Sequence, residues 1–281
     1  ISSAGVIRAG VMAWPVSHSL SPPLHRHWLE TYAINGMYEP IAVTPIDFQE
    51  MLRSLPARGF SGVNVTVPHK IAALKGVDTL DDVARRTGAV NTVIVKDDGT
   101  LHGFNTNVFG FMANIADVNP DWVAGAGPAV VLGAGGAARA VCVALQDAGV
   151  PEIRILNRTG TKAEDLAADL GLPLAVYDWE KRHDVLHEGA FLVNTTSLGM
   201  TGMAPLDLNL AALPPDASVC DVVYAPVETP LLAAARARGN PTIDGLGMLL
   251  HQARPGFEAW FGRVPDVTKK LRQAVINGMG Q

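Results

Sequence analysis

The chain has 281 residues, 48% of them hydrophobic and 17% charged, with a formal net charge of −5. That length suits one large domain or two smaller ones, and the apolar share is enough for a packed core, which excludes a disordered chain. An acidic balance without a long basic run argues against a nucleic-acid partner. No apolar run approaches the roughly 20 residues that span a bilayer, which argues against a membrane partner.

Cys142 and Cys220 lie in apolar runs and read as buried thiols rather than a disulfide, consistent with a reducing compartment. The eight histidines are scattered. His25 and His27 are two apart and cannot share a helix face, and no metal-type spacing occurs, so no metal site is expected. The first residues carry no signal-peptide pattern, and the expectation is a cytoplasmic protein.

Taken in chain order, residues 6–12 predict a strand. Ser21-Pro22-Pro23 opens a helix to about Thr31, with Ser21 as N-cap and proline in the first turn. A strand over 38–43, a short helix over 47–55 and a strand over 62–67 follow, and Pro68 starts another helix. Residues 89–95 and 101–104 form a hairpin around Asp97-Asp98-Gly99. A helix over 109–118 leads to a connection over 119–128. Strands at 129–132, 153–156, 191–194 and 219–222 alternate with helical stretches, the pattern of a parallel sheet. Beyond Asp244-Gly245 the pattern is helical to the end. The expected class is α/β in two domains, with a deep cleft between them where cofactor and substrate meet.

The segment from Ala129 to Ala140 is the most informative. Four apolar residues run into Gly133-Ala134-Gly135-Gly136-Ala137, and a helical pattern over 137–146 follows at once. Such a junction lets backbone N–H groups approach a pyrophosphate at the positive end of a helix. About 20 residues on, the next strand ends in Asn157-Arg158-Thr159, where the ribose contact is expected. An acidic residue there would accept from a free 2′-hydroxyl, whereas Arg158 suits a 2′-phosphate, so the site reads as one for NADP (NADPH).

The first third holds clusters of uncharged polar residues. Ser19 and Ser21 flank Leu20, and in extended chain both hydroxyls face one side. Asn64 and Thr66 share a strand face by the same parity, Lys70 follows at a helix entrance, and Asn91-Thr92 and Asn105-Thr106-Asn107 add further groups. The set suits a small ligand with several hydroxyls and a carboxylate. Each member also has a plainer reading, as a cap, a half-exposed strand face or a surface lysine.

Together these stretches resemble the shikimate dehydrogenase family. The matching motifs are Pro15-Val16-Ser17-His18-Ser19-Leu20-Ser21-Pro22, Asn64-Val65-Thr66-Val67-Pro68-His69-Lys70, Ala89-Val90-Asn91-Thr92, the glycine turn, Asn157-Arg158-Thr159, Asn194-Thr195-Thr196-Ser197-Leu198-Gly199-Met200, Asp221-Val222-Val223-Tyr224 and the run from Asp244 to Ala253. The resemblance implies a Rossmann-type NADP domain over about 108–240 and an N-terminal α/β substrate domain over 1–107 that is completed by about 241–281. It also implies reversible NADP-dependent reduction of 3-dehydroshikimate to shikimate, in the shikimate pathway of aromatic amino acid biosynthesis, by a monomer or homodimer.

It carries substrate contacts to Ser19, Ser21, Asn64, Thr66, Asn91, Asn107, Tyr224 and Gln252. Cofactor contacts fall on Gly133, Ala134, Gly135, Gly136, Ala137, Asn157, Arg158, Thr159, Lys162, Thr196, Ser197, Val222, Gly245 and Met248. Lys70 matches the family's catalytic lysine, whose ammonium donates a proton to the forming alkoxide.

The match departs at one catalytic position. The family pairs the lysine with an aspartate in an Asn-Thr-Asp triplet, and this chain reads Asn105-Thr106-Asn107. Asn107 can hydrogen-bond a hydroxyl but carries no charge and takes up no proton in the normal range. Losing a carboxylate there lowers the lysine pKa and implies reduced turnover with substrate binding better preserved. A smaller departure is Ala13-Trp14 before Pro15, where the family usually has glycine first. The alternatives are a relative acting on quinate or aminoshikimate, and a catalytically silent paralogue that binds ligand without reaction.

Overall fold

The computed structural model describes residues 5–17 and 19–279, so His18 of the serine motif lies outside the described residues. Contacts divide the chain into two units, one running to Thr106 and resuming at Leu250, the other spanning Asn107–Leu249. Among the described residues no helix is long and apolar enough to cross a membrane.

The first unit holds β1 (Ile7–Ala13), α1 (Ser21–Thr31), β2 (Gly36–Ala42), α2 (Phe48–Ser54), β3 (Phe60–Val65), α3 (Lys70–Gly76), β4 (Thr79–Leu80), α4 (Asp82–Thr87), β5 (Thr92–Val95) and β6 (Leu101–Phe104). Its sheet runs β2-β1-β3-β5-β6-β4. β1 is parallel to β2 and β3, and β3, β5 and β6 are antiparallel neighbours. The period-two alternation of the strands splits the sheet into two faces. Met12, Val63 and Val65 pack on Phe48 and Leu52 of α2. On β3 and β5, Asn64 and Thr92 are paired neighbours.

The second unit begins with α5 (Asn107–Val118), followed by β7 (Ala129–Leu132), α6 (Gly136–Ala148), β8 (Ile153–Leu156), α7 (Gly160–Leu170), β9 (Leu174–Tyr177), β10 (Phe191–Asn194), β11 (Ser218–Asp221), α8 (Pro230–Ala237) and β12 (Thr242–Ile243). α9 (Gly245–Phe261) starts here, and its second half lies in the first unit with α10 (Lys269–Gly278). All six strands are parallel in the order β12-β11-β10-β7-β8-β9. The first strand sits at the centre and the order reverses beside it, which is the Rossmann arrangement with its switch point between β7 and β10. Strands buried on both faces read as continuous apolar runs, as Ala129–Leu132 does. Val131 and Val193 face Phe111 and Val141, while Val130 and Leu192 face Leu231 and Leu232.

Several local expectations are corrected. The helix begins at Ser21 itself, Leu20 takes the N-cap place, and no side chain caps it. Residues 19–21 are not extended: Leu20 takes a right-handed helical conformation and Ser21 is already in the helix. The Ser19 hydroxyl instead accepts the Ser21 backbone N–H at 3.3 Å. β3 stops at Val65, so Thr66 lies beyond the strand, and α3 starts two residues after Pro68. The return to the first unit comes at Leu250 rather than near 241, because β12 pairs with β11 and Met248 belongs to the second unit's core. Both cysteines are free and buried, as read from their apolar surroundings.

In the first unit the C-terminal helices pack on the sheet through aromatic residues. The Trp260 indole N–H donates to the Val93 carbonyl at 3.1 Å, and that of Trp28 donates to the Asp266 carbonyl at 2.9 Å. A Cβ at Gly62 would lie 2.1 Å from Trp260 Nε1, so only glycine lets the ring reach the strand.

Candidate active site

In the second unit, β7 ends at Leu132 and the chain turns sharply at Gly133, whose φ of +108° lies where side chains are rarely tolerated. A Cβ there would stand 2.6 Å from Thr195 Oγ1, at the end of the neighbouring β10. The turn is tied down from both sides of the switch point. Gly133 N–H donates to the Leu156 carbonyl at 2.7 Å, and Thr195 N–H to the Leu132 carbonyl at 2.8 Å.

Gly135 and Gly136 differ in kind, because a Cβ at either would meet nothing within 4 Å. Their missing side chains leave open space over the start of α6, whose N-terminus has no side-chain cap. Uncapped amides and the helix dipole together favour an anion there. Beyond β8, the Asn157 amide donates to the Thr159 carbonyl at 2.9 Å, while Arg158, Thr159 and Lys162 are exposed. This donor set fits a dinucleotide with a phosphorylated ribose.

The loops after β10 and β11 are built on one buried carboxylate. Asp221 accepts from Asn194 Nδ2 at 3.0 Å, from Val223 N–H at 3.0 Å and from Thr229 Oγ1 at 2.7 Å. Burial pushes its pKa up to about 6, against the pull of those three donors. Asn194 Oδ1 in turn accepts from the backbone and hydroxyl of Thr196. Thr196, half-buried, and Ser197, exposed, follow directly, and Val222 and Tyr224 lie on the Asp221 side. Burial raises the Tyr224 phenol pKa. Gly245 presses on Val222, where a Cβ would stand 2.4 Å from its carbonyl oxygen. Asp244 Oδ1 accepts from Leu246 N–H at 3.0 Å and starts α9, which carries buried Met248.

In the first unit, Lys70 is the first residue of α3, and the turn before it is strongly anchored. The His69 ring hydrogen-bonds the Val43 carbonyl through Nε2 at 2.9 Å and stacks on Phe48 with centroids 4.4 Å apart. The Lys70 carbonyl accepts from Val90 N–H at 3.0 Å, next to Asn91, and His69 N–H donates to the Thr66 carbonyl at 2.8 Å. Thr66, Lys70 and Asn91 therefore share one neighbourhood. Lys70 is half-buried, and loss of hydration lowers its pKa to about 8. Among the described residues no carboxylate forms an ion pair with it.

Asn64 and Asn91 are joined through Thr92, at 3.1 Å on each side of its hydroxyl. Ser21 hydrogen-bonds the buried Tyr38 phenol, which reaches Asn64 at 2.6 Å. Gln252 lies one helical turn before Gly256 on α9, so the two share a face. A Cβ at Gly256 would stand 3.1 Å from the Thr92 methyl, which places that face over β5.

The expected residues thus form two groups. Ser19, Ser21, Asn64, Thr66, Lys70, Asn91 and Gln252 belong to the first unit, and the glycine turn, Arg158, Thr196, Val222, Tyr224, Gly245 and Met248 to the second. Asn107 is buried at the head of α5, where the second unit starts. Tyr38, Asn194 and Asp221 carried no predicted role, although Asn194 and Asp221 open two of the matching motifs. Tyr38 carried no local signal, whereas a polar residue closing each of two apolar strands was visible at Asn194 and Asp221.

Three family models match: "Shikimate dehydrogenase substrate binding domain" over residues 11–93, "Shikimate / quinate 5-dehydrogenase" over 124–200 and "Shikimate 5'-dehydrogenase C-terminal domain" over 245–276. The shikimate dehydrogenase (NADP(+)) of Paramagnetospirillum magneticum is 58% identical over 269 residues, covering 96% of this chain and 98% of its own. The crystal structure of the Thermus thermophilus shikimate 5-dehydrogenase with NADP(H) and shikimate is 36% identical, covers 97% of this chain and 99% of its own, and has a TM-score of 0.85. The quinate dehydrogenase of Corynebacterium glutamicum with NAD is 31% identical over the same shares, with a TM-score of 0.90. With relatives of this identity spanning nearly its whole length, the chain belongs to the shikimate dehydrogenase family.

Proposed function

We propose that this protein interconverts 3-dehydroshikimate and shikimate with NADP, and that Lys70 moves the proton. One observation carries the reading. An amine with its pKa near 8 is held at a helix start among uncharged polar groups, at the residue where the family resemblance puts the catalytic lysine.

The glycine turn from Gly133 to Ala137 holds the pyrophosphate, and Asn157, Arg158, Thr159 and Lys162 hold the phosphorylated ribose. Thr196, Ser197, Val222, Gly245 and Met248 line the remainder of the cofactor's path. When bound, NADP supplies the hydride acceptor for the alcohol carbon and, as NADPH, the donor for the ketone. Ser19, Ser21, Asn64, Thr66, Asn91, Asn107, Tyr224 and Gln252 orient the ring hydroxyls and carboxylate. Lys70 as ammonium donates a proton to the forming alkoxide, and as amine takes it back from the alcohol. A pKa near the working pH lets one group serve both directions. Asn107 adds a hydrogen bond without charge, so turnover is reduced while binding persists.

Purified protein is mixed with NADP and, in turn, shikimate and quinate, and nicotinamide absorbance is followed for it and for Asn107→Asp. Shikimate-dependent reduction of NADP is expected. If both forms bind NADP and neither oxidises shikimate, the reading is wrong, and turnover of quinate alone transfers it to that acid.

A further inference from the structure

A chain of hydrogen bonds in the first unit has its direction set by a single backbone group. The Thr106 N–H donates to Asn91 Oδ1 at 2.9 Å, so that atom must be the amide oxygen. The other end of Asn91 is then the nitrogen, donating to Thr106 Oγ1 at 2.9 Å. The Thr92 hydroxyl, 3.1 Å from Asn91 Oδ1, has to donate to it. A hydroxyl has one proton, so Thr92 Oγ1 can only accept from Asn64, 3.1 Å away. The Asn64 atom facing it is therefore Nδ2, whose second proton points to the Asn91 carbonyl at 3.3 Å. Asn64 Oδ1 is left facing Tyr38, which donates to it at 2.6 Å.

Tyr38 cannot easily leave this place. Its ring is buried and stacked on His25 at 3.8 Å between centroids and 8° between planes. The His25 ring hydrogen-bonds the Ser21 carbonyl at 2.9 Å, and burial keeps it neutral, with a pKa lowered to about 3. Turning the Asn64 amide over would set its oxygen against Thr92 Oγ1, whose proton is already committed. With both amide protons used inside the protein, Asn64 offers a ligand only the second lone pair of Oδ1.

We infer that Tyr38 and Thr92 are positioning residues that fix Asn64 as a hydrogen-bond acceptor, so that this site selects a ring hydroxyl over a carbonyl or ether oxygen at the position facing Asn64. The inference rests on the proposed reading of the first unit as the substrate site. An acceptor aimed at a hydroxyl is left unpaired by an analogue lacking that proton, which is how a polar site discriminates.

The test uses Tyr38→Phe and Thr92→Val, with Thr92→Ser as the conservative control that keeps the hydroxyl. KM and kcat are measured for shikimate and for its analogues O-methylated at each non-reacting ring hydroxyl in turn. Wild-type protein is expected to lose about 10–100-fold in kcat/KM on one of the analogues, an effect of the size expected for an unpaired buried polar group. In Tyr38→Phe and Thr92→Val that penalty shrinks to within about threefold, with KM changed more than kcat, while Thr92→Ser keeps it.

The locking is read separately from turnover. Solvent exchange of the Asn64 side-chain amide protons, assigned by their loss in Asn64→Asp, is expected to quicken at least about tenfold in Tyr38→Phe, as in local opening. Equal losses on shikimate and every analogue, or unchanged amide exchange in a folded variant, overturn the inference. Quickened exchange in a protein that turns over no shikimate would leave the lock standing and sink the functional reading and the selectivity with it.

Discussion

Asn194 donates through Nδ2 to Asp221 Oδ1 at 3.0 Å, tying the carboxyl ends of β10 and β11 together. The two residues close adjacent parallel strands and pair in register. Each then holds its own loop: Asn194 holds Thr196 and the Leu198 carbonyl, and Asp221 holds Val223 and Thr229. Three hydrogen-bond donors meet this carboxylate, and among the described residues no cation pairs with it.

The titration of Asp221 gives a signed prediction. Its folded pKa of about 6 lies above the ordinary 3.8, so the native state holds the proton more tightly than the unfolded chain. The contribution of this group to stability is therefore fully present below about pH 4 and lost as pH rises through 6. The difference is worth about 3 kcal/mol by linkage. In Asp221→Asn nothing titrates there. Urea unfolding at pH 4.5 and 7.5 should show wild type losing ground to the variant at the higher pH, and a pH-independent gap contradicts it. The neighbouring Cys220 thiol, raised by burial and by Asp221 and Asp244, stays neutral throughout.

Lys70 sets the second. With a pKa near 8, the amine that the proposed role requires for alcohol oxidation accumulates as pH rises, and the ammonium it requires for ketone reduction falls away. Shikimate oxidation should climb to a plateau above about pH 8, and the reverse reaction should decline over the same range. Replacing Lys70→Met should cost about 10²–10⁴-fold in kcat with little change in KM. Rates flat from pH 7 to 9 in both directions would remove Lys70 from proton transfer.

A carboxylate restored at position 107 tests the departure from the family pattern. Asn107→Asp should raise kcat by about 10²-fold. On the pairing with Lys70 that the family resemblance implies, opposite charge favours the ammonium, and the pH limb assigned to Lys70 should move upward by about one unit. An unchanged limb with unchanged kcat would show that the missing charge is irrelevant to turnover.

Arg158 is exposed at the end of β8, where a phosphorylated ribose is expected. Arg158→Gln should raise the KM for NADP by about 10–100-fold, the cost of one or two charge-assisted hydrogen bonds, and leave that for NAD nearly unchanged. Parallel losses for both cofactors would mean that the residue does not read the phosphate.

The strand–glycine–helix junction at Gly133 was legible because its requirements are local: an apolar strand, a backbone turn that excludes side chains, and an immediate helix. The same holds for Lys70, since Pro68-His69-Lys70 marks a helix start from nearest neighbours alone. Ser21 shows the limit of local reading. Serine before two prolines is an excellent N-cap, yet the helix starts at Ser21 itself with Leu20 at the cap place, and Ser21 is bonded to Tyr38.

What the sequence by itself determined, then, was the order of strands and helices and the chemical kinds of residue at their ends, because periodicity and turn chemistry act over a few neighbours. Tertiary structure alone decided which strands lie side by side and which polar atoms face each other. Tyr38 and Asn64 are 26 residues apart and meet only through the register of β2, β1 and β3. The lowered pKa of Lys70 and the raised pKa of Asp221 likewise arise from water excluded by packing, a long-range property that no local pattern of residues encodes.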